Sequence, residues 1–163
     1  MPTENTANLV QIGEKAPDFT LPSDNSGEIT LSSLQDQTVV LFFYPKDNTP
    51  GCTREACEFS TDKAQFDAAG ARVFGISKDS LKKHENFRQK HDLTIPLLSD
   101  IDGDVCERYG VWKEKKMYGK VFWGIERTTV VIKADGTIAK IWSKVKVPGH
   151  VEEVLAEVTG LSL

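Results

Sequence analysis

The sequence has few cysteines: Cys52, Cys57 and Cys106 are the only three in 163 residues. Small secreted domains that depend on disulfide bonds usually carry more cysteines, and an even number of them. The sequence therefore argues against a disulfide framework as the basis of the fold. Each cysteine is instead a candidate for a buried thiol, a metal ligand or a catalytic group.

Long apolar segments are also missing. The longest continuous apolar run, residues 39–44, is far shorter than the roughly 20 residues that span a bilayer, and residues 1–8 are polar. The formal net charge is -4, which disfavours binding to nucleic acid and to anionic membranes. A glycine-rich phosphate loop is absent, which argues against a nucleotide or flavin cofactor. We therefore predict a cytoplasmic protein without membrane or nucleic-acid partners.

What the sequence does contain is typical of a globular protein. Hydrophobic residues make up 39% of the chain and charged residues 27%, a balance that allows a sizeable core. The length is that of one ordinary domain. We predict a single domain over residues 1–163, in which residues 1–16 form a flexible or loosely packed lead.

Strand and helix patterns alternate along the chain. Residues 38–44 are continuously apolar and rich in β-branched and aromatic side chains, which is typical of a strand covered on both faces. Residues 53–69 place apolar side chains on one face at helical spacing. The other predicted elements are a hairpin over 18–31, strands at 71–77 and 95–98, helices at 80–91 and 102–109, a hairpin over 128–143 and a final helix at 149–159.

The order of these elements indicates a thioredoxin-like α/β fold with an N-terminal β-hairpin extension. Alternating strands and helices predict a parallel sheet. The late hairpin, which turns at Asp135 and Gly136, is a strong antiparallel signal. Flavodoxin-like folds usually lack such a hairpin, so the thioredoxin class is favoured.

Cys52 lies where the long helix is predicted to begin. Thr49 suits the N-cap position and Pro50 the first helical position, so Cys52 falls in the first turn. The unpaired N–H groups and the positive end of the helix dipole there favour a thiolate over a thiol. The sequence therefore predicts an activated nucleophile. The alternative is that the segment is only a helix cap and Cys52 a small core residue.

Cys57 follows Cys52 by five positions, and an intact helix keeps the two apart. Five residues rotate by about 140° and rise about 7.5 Å. Disulfide-bonded Cα atoms usually lie within about 7 Å of each other. Cys52 is predicted on the side that carries Ala56 and Phe59, whereas Cys57 points away from it. The two thiols would meet only if the helix unwinds locally.

Three residues in this region resemble the active-site signature of the peroxiredoxins. Pro45, Thr49 and Cys52 have the spacing Pro-x3-Thr-x2-Cys, and residues 42–53 as a whole are similar to the bacterioferritin comigratory protein, or peroxiredoxin Q, branch. The resemblance extends over nearly the whole chain and includes residues 16–19, 110–112 and 124–129.

The resemblance implies a thiol-dependent peroxidase that reduces hydrogen peroxide and organic hydroperoxides. Cys52 would attack the terminal peroxide oxygen, and Thr49 would hydrogen-bond the thiolate and the peroxide. Arg127 would stabilise the thiolate and the leaving oxygen, while Pro45 would shield the sulfenic acid that forms. Glu55 would support Arg127 through a salt bridge, although an acid in a first helical turn is also favoured by the helix dipole alone.

The resemblance also implies how the enzyme is regenerated. Cys57 would be the resolving cysteine that forms an intramolecular disulfide with oxidised Cys52, and thioredoxin or a similar dithiol protein would reduce it. The branch is often monomeric, so a monomer is expected. No cofactor and no metal are implied.

The remaining residues of chemical interest receive structural interpretations. Cys106 is predicted to be a buried or half-buried structural thiol, and the basic run at residues 113–116 a solvated loop or helix end. His84 and His91 are predicted to be solvated on a polar helix, and His150 to begin the last helix. Two rival functions stay open: a metal-binding or disulfide-exchange module that uses Cys52 and Cys57, and a non-catalytic interaction protein.

Overall fold

The computed structural model describes residues 10–34 and 36–161, so the first nine residues of the predicted lead lie outside the described part of the chain. A 3₁₀ helix occupies Leu31–Leu34. The strands are β1 (Thr20–Pro22), β2 (Glu28–Thr30), β3 (Thr38–Phe43), β4 (Ala71–Ser77), β5 (Leu97–Ser99), β6 (Trp112–Met117), β7 (Lys120–Ile125), β8 (Thr128–Ile132) and β9 (Ile138–Trp142). The helices are α1 (Pro50–Thr61), α2 (Lys63–Ala68), α3 (Leu81–His91), α4 (Val105–Arg108) and α5 (His150–Leu161).

A five-stranded sheet in the order β5-β4-β3-β8-β9 forms the centre of the molecule. Strands β3, β4 and β5 are parallel, whereas β8 runs antiparallel to β3 and β9 antiparallel to β8. The carboxyl ends of the parallel strands therefore share one edge with the start of β8, where Phe43 is paired with Thr128. This edge brings together loops that are distant in sequence.

The apolar residues of β3 alternate between two cores, one on each face of the sheet. Val40 and Phe42 pack under α1, α2, α3 and α5, while Leu41 and Phe43 pack under the N-terminal hairpin and α4. All four side chains are fully buried. Burial on both faces explains why this segment is continuously apolar, and the thioredoxin-like fold predicted from the sequence is confirmed.

The long helix predicted over residues 53–69 is divided in two. Asp62 is both the C-cap of α1 and the N-cap of α2. Aspartate is a poor residue for a helix interior because its side chain competes for backbone hydrogen bonds. None of the helices in the described part of the chain is long and apolar enough to cross a membrane.

A third hairpin, formed by β6 and β7, was not predicted. The basic run at residues 113–116 lies within β6, so its interpretation as a loop or helix end is wrong. The two strands pair antiparallel around Tyr118 and Gly119, which have φ angles of 53° and 77°. Positive φ at both central residues is the signature of a tight hairpin turn.

The predicted lead also needs correction where it is described. The backbone N–H groups of Gly13 and Ala16 donate to the carbonyls of Ile138 and Gly136, at 2.8 and 2.9 Å. Lys15 forms a β-bridge with Thr137. Residues 13–16 are therefore attached to the start of β9 by backbone pairing, which a polar sequence alone does not reveal.

Candidate active site

Cys52 lies in the first turn of α1, directly after the loop that leaves β3. Thr49 occupies the N-cap position and Pro50 the first turn, as the sequence predicts. The Cys52 side chain faces the sheet beside Ala56 and Phe59, and Cys52 is only 1% exposed. It is a free thiol in this structure. The helix start thus presents a sheltered sulfur next to unpaired N–H groups.

Arg127 reaches this sulfur from the short segment between β7 and β8. Its Nη2 lies 3.3 Å from Cys52 Sγ, and its Nη1 donates to Glu55 Oε1 at 2.8 Å. Arg127 can reach because β8 begins at the sheet edge where β3 ends. The predicted association of Cys52, Glu55 and Arg127 is therefore present.

Gly51 makes this approach possible, and sequence reasoning missed it. A Cβ atom on Gly51 would lie 3.1 Å from Arg127 Nη2, closer than side chains ordinarily tolerate. The sequence could have indicated this role, because Gly51 directly precedes a cysteine at a helix start and glycine allows other groups to approach the backbone closely.

The charges in the site depend on burial. Burial opposes the charge of Arg127, but Cys52 and Glu55 outweigh that effect and raise the pKa of the guanidinium, which stays cationic. Glu55 is fully buried, and its Oε2 has no hydrogen-bond partner. Burial raises the pKa of Glu55 to about 7, against the opposing effect of Arg127. The site therefore holds a permanent cation and a carboxyl group that titrates near neutral pH.

Thr49 and Pro45 lie in the segment that joins β3 to α1. The Thr49 hydroxyl donates to the Lys46 carbonyl at 2.8 Å and makes no capping hydrogen bond, so only its backbone fulfils the predicted N-cap role. Pro45 follows β3 and is exposed.

The other two cysteines differ from each other. Cys57 is half-buried and free, and burial, together with nearby Glu58, raises the pKa of its thiol. Cys106 is fully buried, as predicted, and burial raises the pKa of its thiol strongly, with a further contribution from Asp100. Only Cys57 combines proximity in sequence to Cys52 with partial exposure.

One histidine was predicted wrongly, and the burial of another was not predicted. His84 is fully buried, because α3 turns His84 and Phe87 toward the sheet. Its Nδ1 lies 2.7 Å from Asp47 Oδ2, in the loop before α1. His150 begins α5 as predicted, but it is buried as well, with its Nε2 2.8 Å from Thr129 Oγ1. Polar helices can still carry a narrow inward face, which periodicity alone did not reveal.

Among the described residues, one group of side chains is close enough together to bind a metal ion: Asp47, Asp79 and His84. Cys52 and Cys57 are not part of such a group. Asp47 Oδ2 and His84 Nδ1 are already hydrogen-bonded to each other, and Asp79 Oδ2 accepts from the Asp47 amide at 2.9 Å. Internal hydrogen bonds therefore account for this cluster.

Breaking an O–O bond requires a thiolate nucleophile and a fixed donor aimed at the departing oxygen. A cysteine sulfur and a guanidinium lie together at the edge of this thioredoxin-like sheet, an arrangement that points to the class of thiol peroxidases. The family model described as the AhpC/TSA family matches residues 12–141. The chain therefore belongs to the AhpC/TSA family, in its bacterioferritin comigratory protein, or peroxiredoxin Q, branch, and it is a peroxiredoxin.

The relatives are similar over most of their length. A putative peroxiredoxin bcp from Coxiella burnetii is 52% identical over 146 residues, which cover 90% of this chain and 97% of the relative. Peroxiredoxin Bcp from Bacillus subtilis is 44% identical, with 94% and 98% covered. The bacterioferritin comigratory protein of Xanthomonas campestris superposes with a TM-score of 0.87 at 39% identity, covering 94% of this chain and all of that one.

Proposed function

We propose that Cys52 is the peroxidatic cysteine and that the enzyme reduces hydrogen peroxide and organic hydroperoxides. The distance of 3.3 Å between Arg127 Nη2 and Cys52 Sγ is the observation that carries the proposal. The related Xanthomonas campestris structure is described in terms of alkyl peroxide reduction activity, which supports an organic substrate here.

In the proposed first step, the Cys52 thiolate attacks the terminal peroxide oxygen. The S–O bond forms as the O–O bond breaks, and the departing alkoxide takes up a proton and leaves as an alcohol. Arg127 donates to the sulfur before the reaction and to the leaving oxygen during it. Thr49 exchanges its hydrogen bond with Lys46 for one with the peroxide, and Pro45 limits access of water to the sulfenic acid. Glu55 holds Arg127 in place.

In the second step, Cys57 resolves the sulfenic acid. Its thiolate attacks the Cys52 sulfur, a disulfide forms and water leaves. Because five helical positions separate the two cysteines, α1 must unwind locally before the sulfurs can meet. A dithiol protein of the thioredoxin type then reduces the disulfide by exchange. The monomeric state, the cytoplasmic location, the single domain and the absence of a cofactor or metal stay predictions.

The test compares wild type with Cys52→Ser, Cys57→Ser and Cys106→Ser in a peroxidase assay coupled to thioredoxin. Cys52→Ser should abolish peroxide consumption, because no other thiol lies beside Arg127. Cys57→Ser should react with one equivalent of peroxide and then stall. Cys106→Ser serves as the control and should turn over normally, since its thiol is buried and away from the reaction.

Mass spectrometry of wild type after one equivalent of peroxide then identifies the disulfide. A bridge between Cys52 and Cys57 is expected. A bridge to Cys106 or between two molecules would overturn the role of Cys57, and unchanged turnover of Cys52→Ser would overturn the role of Cys52.

A further inference from the structure

Asp47 fixes the loop that leads through Thr49 into α1. The Asp47 carboxylate accepts from the Tyr44 hydroxyl at 2.6 Å and meets His84 Nδ1 at 2.7 Å. Its backbone N–H donates to Asp79 Oδ2, which also accepts from Ser77 Oγ at 2.7 Å. The hydrogen bonds tie the loop to the ends of β3 and β4 and to α3.

The hydrogen-bond acceptors that face the two ring nitrogens of His84 determine how many protons the ring must carry. His84 Nε2 lies 2.9 Å from the Leu98 carbonyl, which can only accept, so Nε2 carries a proton. His84 Nδ1 faces the Asp47 carboxylate, which is also an acceptor when ionised. A neutral imidazole has a proton on one nitrogen only. The pair therefore requires one further proton, and it is held as an imidazolium beside a carboxylate.

The surroundings of His84 favour that charge state. The titratable groups that face its ring are Asp47 and Asp79 from the loops and Tyr44, which directly follows β3, while β5 offers only the Leu98 carbonyl. The cations Lys46 and Lys83 line the cavity outside, with Asp47 and Asp79. Burial alone would lower the pKa of His84, but the hydrogen bond and charge of Asp47 outweigh it and raise the pKa.

The loop needs such an anchor, because part of it is intrinsically unfavourable. Asn48, between Asp47 and Thr49, has a φ of 63°, in the left-handed region. Such a conformation persists only where surrounding contacts hold it. The Thr49 carbonyl accepts from Thr53 N–H at 2.8 Å in the first turn of α1. The position of the loop therefore affects the position of the helical turn that contains Cys52.

We propose that protonated His84 is a positioning residue for the peroxidase reaction, which clamps Asp47 and so fixes Thr49 and the first turn of α1 in the reactive arrangement. The inference rests on the proposed role of Cys52. The inference gives α3 a role in positioning the site, although α3 supplies none of the reacting groups. It also implies that the upstream end of α1 stays anchored while the helix unwinds.

The dependence on pH follows from the raised pKa of His84. A histidine whose pKa is higher in the folded state stabilises that state fully below its unfolded pKa of about 6.5. This stabilisation is lost as the pH rises through the folded-state pKa. The loop should therefore loosen on the alkaline side, and the reactivity of Cys52 should fall with it.

The experiment measures the second-order rate constant of Cys52 oxidation by hydrogen peroxide between pH 5 and 10, using quenched flow and mass spectrometry. His84→Asn keeps one amide donor but no titratable charge, and it should slow oxidation by about tenfold or more at pH 7, since small misplacements at a reacting group cost that much. Wild type should show an alkaline inflection in this rate, and His84→Asn should remove it. His91→Asn, on the same helix, is the control and should retain both.

A second variant, Asp47→Asn, tests whether the loop keeps its geometry without the extra proton. Its amide can donate to a neutral His84 Nδ1 and still accept from Tyr44, so the loop should keep its geometry without the extra proton. A rate within about threefold of wild type, with no alkaline inflection, is expected for this isosteric change, because the hydrogen bonds are retained. A purely structural role for His84 would not move the inflection.

Nitrogen-15 NMR of the His84 ring provides a readout that does not depend on activity or on folding of the variants. Both ring nitrogens should be protonated at pH 7 in wild type. A neutral ring at pH 7, or a His84→Asn variant with the wild-type rate and inflection, would overturn the inference. Wild type that is not oxidised at Cys52 would overturn the proposed function instead, while the NMR result would still decide the charge of His84.

Discussion

Gly51 is important for the site because it has no side chain and so leaves room for Arg127. A methyl group on Gly51 would lie 3.1 Å from Arg127 Nη2, so the guanidinium would have to shift to accommodate it. The same nitrogen lies 3.3 Å from Cys52 Sγ, so such a shift would change the contact with the sulfur.

Gly51→Ala should reduce the rate of Cys52 oxidation by about tenfold or more, because it displaces Arg127 from the sulfur and a misplaced group loses its alignment. Stopped reactions with one equivalent of peroxide measure this rate. Gly160→Ala is the matched control: this second helical glycine, in α5, has open space around its would-be Cβ. It should leave the rate unchanged. Equal rates for both variants would contradict the steric role of Gly51.

At the scale of elements, the proposed mechanism requires that α1 is stable enough to present Cys52 and weak enough to release Cys57. Two features of α1 favour its unwinding. The helix ends at Asp62 and does not continue into α2. Glu55 is buried within it, with one oxygen that lacks a donor and lies 4.0 Å from His150 Nε2. Burial lowers the pKa of His150 to about 4, so the histidine is neutral at physiological pH.

The opening of α1 should depend on pH through Glu55. Its pKa is raised to about 7 from 4.5, so the folded helix favours the neutral acid. The resulting stabilisation is complete below pH 4.5 and is lost as the pH rises through about 7. Hydrogen exchange of the amides at residues 56–60, corrected for the intrinsic rate, should therefore report more frequent opening at pH 8 than at pH 6.

Glu55→Gln should remove this pH dependence, whereas Glu58→Gln should keep it. Glu58 lies on the same helix but pairs with Arg54 on the surface at 2.9 Å. If the opening of α1 in the Glu55→Gln protein still rose between pH 6 and pH 8, another group would have to be responsible.

Sequence patterns predicted the elements whose signals are local. The apolar run of β3, the Asp135-Gly136 turn and the cap residues before Cys52 each depend on neighbours in the chain, and the structure contains them all. The triad of Cys52, Glu55 and Arg127 was also predicted, through the family resemblance. The buried positions of His84 and His150 were not, because their partners Asp47 and Thr129 are brought close only by the sheet.

At the scale of the whole molecule, Arg88 joins the N-terminal hairpin to the main sheet. Its guanidinium binds the carboxylate of Asp24, with one contact at 3.0 Å, and also donates to the Leu93 and Ile95 carbonyls. Asp24 Oδ1 accepts from the backbone N–H of Leu97 in β5 at 3.1 Å. One buried ion pair thus connects the hairpin, α3 and β5.

Arg88→Ala should lower the free energy of unfolding by about 3 to 5 kcal/mol, because it leaves a buried carboxylate without its cation. The Asp24 side chain is only 1% exposed. Lys63→Ala, which breaks an exposed pair with Asp67, is the control and should cost less than about 1 kcal/mol. Urea unfolding measures both values. A loss for Arg88→Ala no larger than for the control would show that this ion pair contributes little to the attachment of the hairpin.

The aromatic stack behind α1 gives the protein an optical reporter of its own. Trp142 in β9 lies edge-on to His150 with ring centroids 5.5 Å apart, and His150 lies edge-on to Phe59 of α1 at 6.5 Å. If α1 unwinds as the proposed mechanism requires, Phe59 should leave these contacts and solvent should reach the imidazole beside the indole. Replacing Trp112 and Trp123 with Phe would leave Trp142 as the single tryptophan, so opening of α1 could be followed as a change in tryptophan emission without an attached dye.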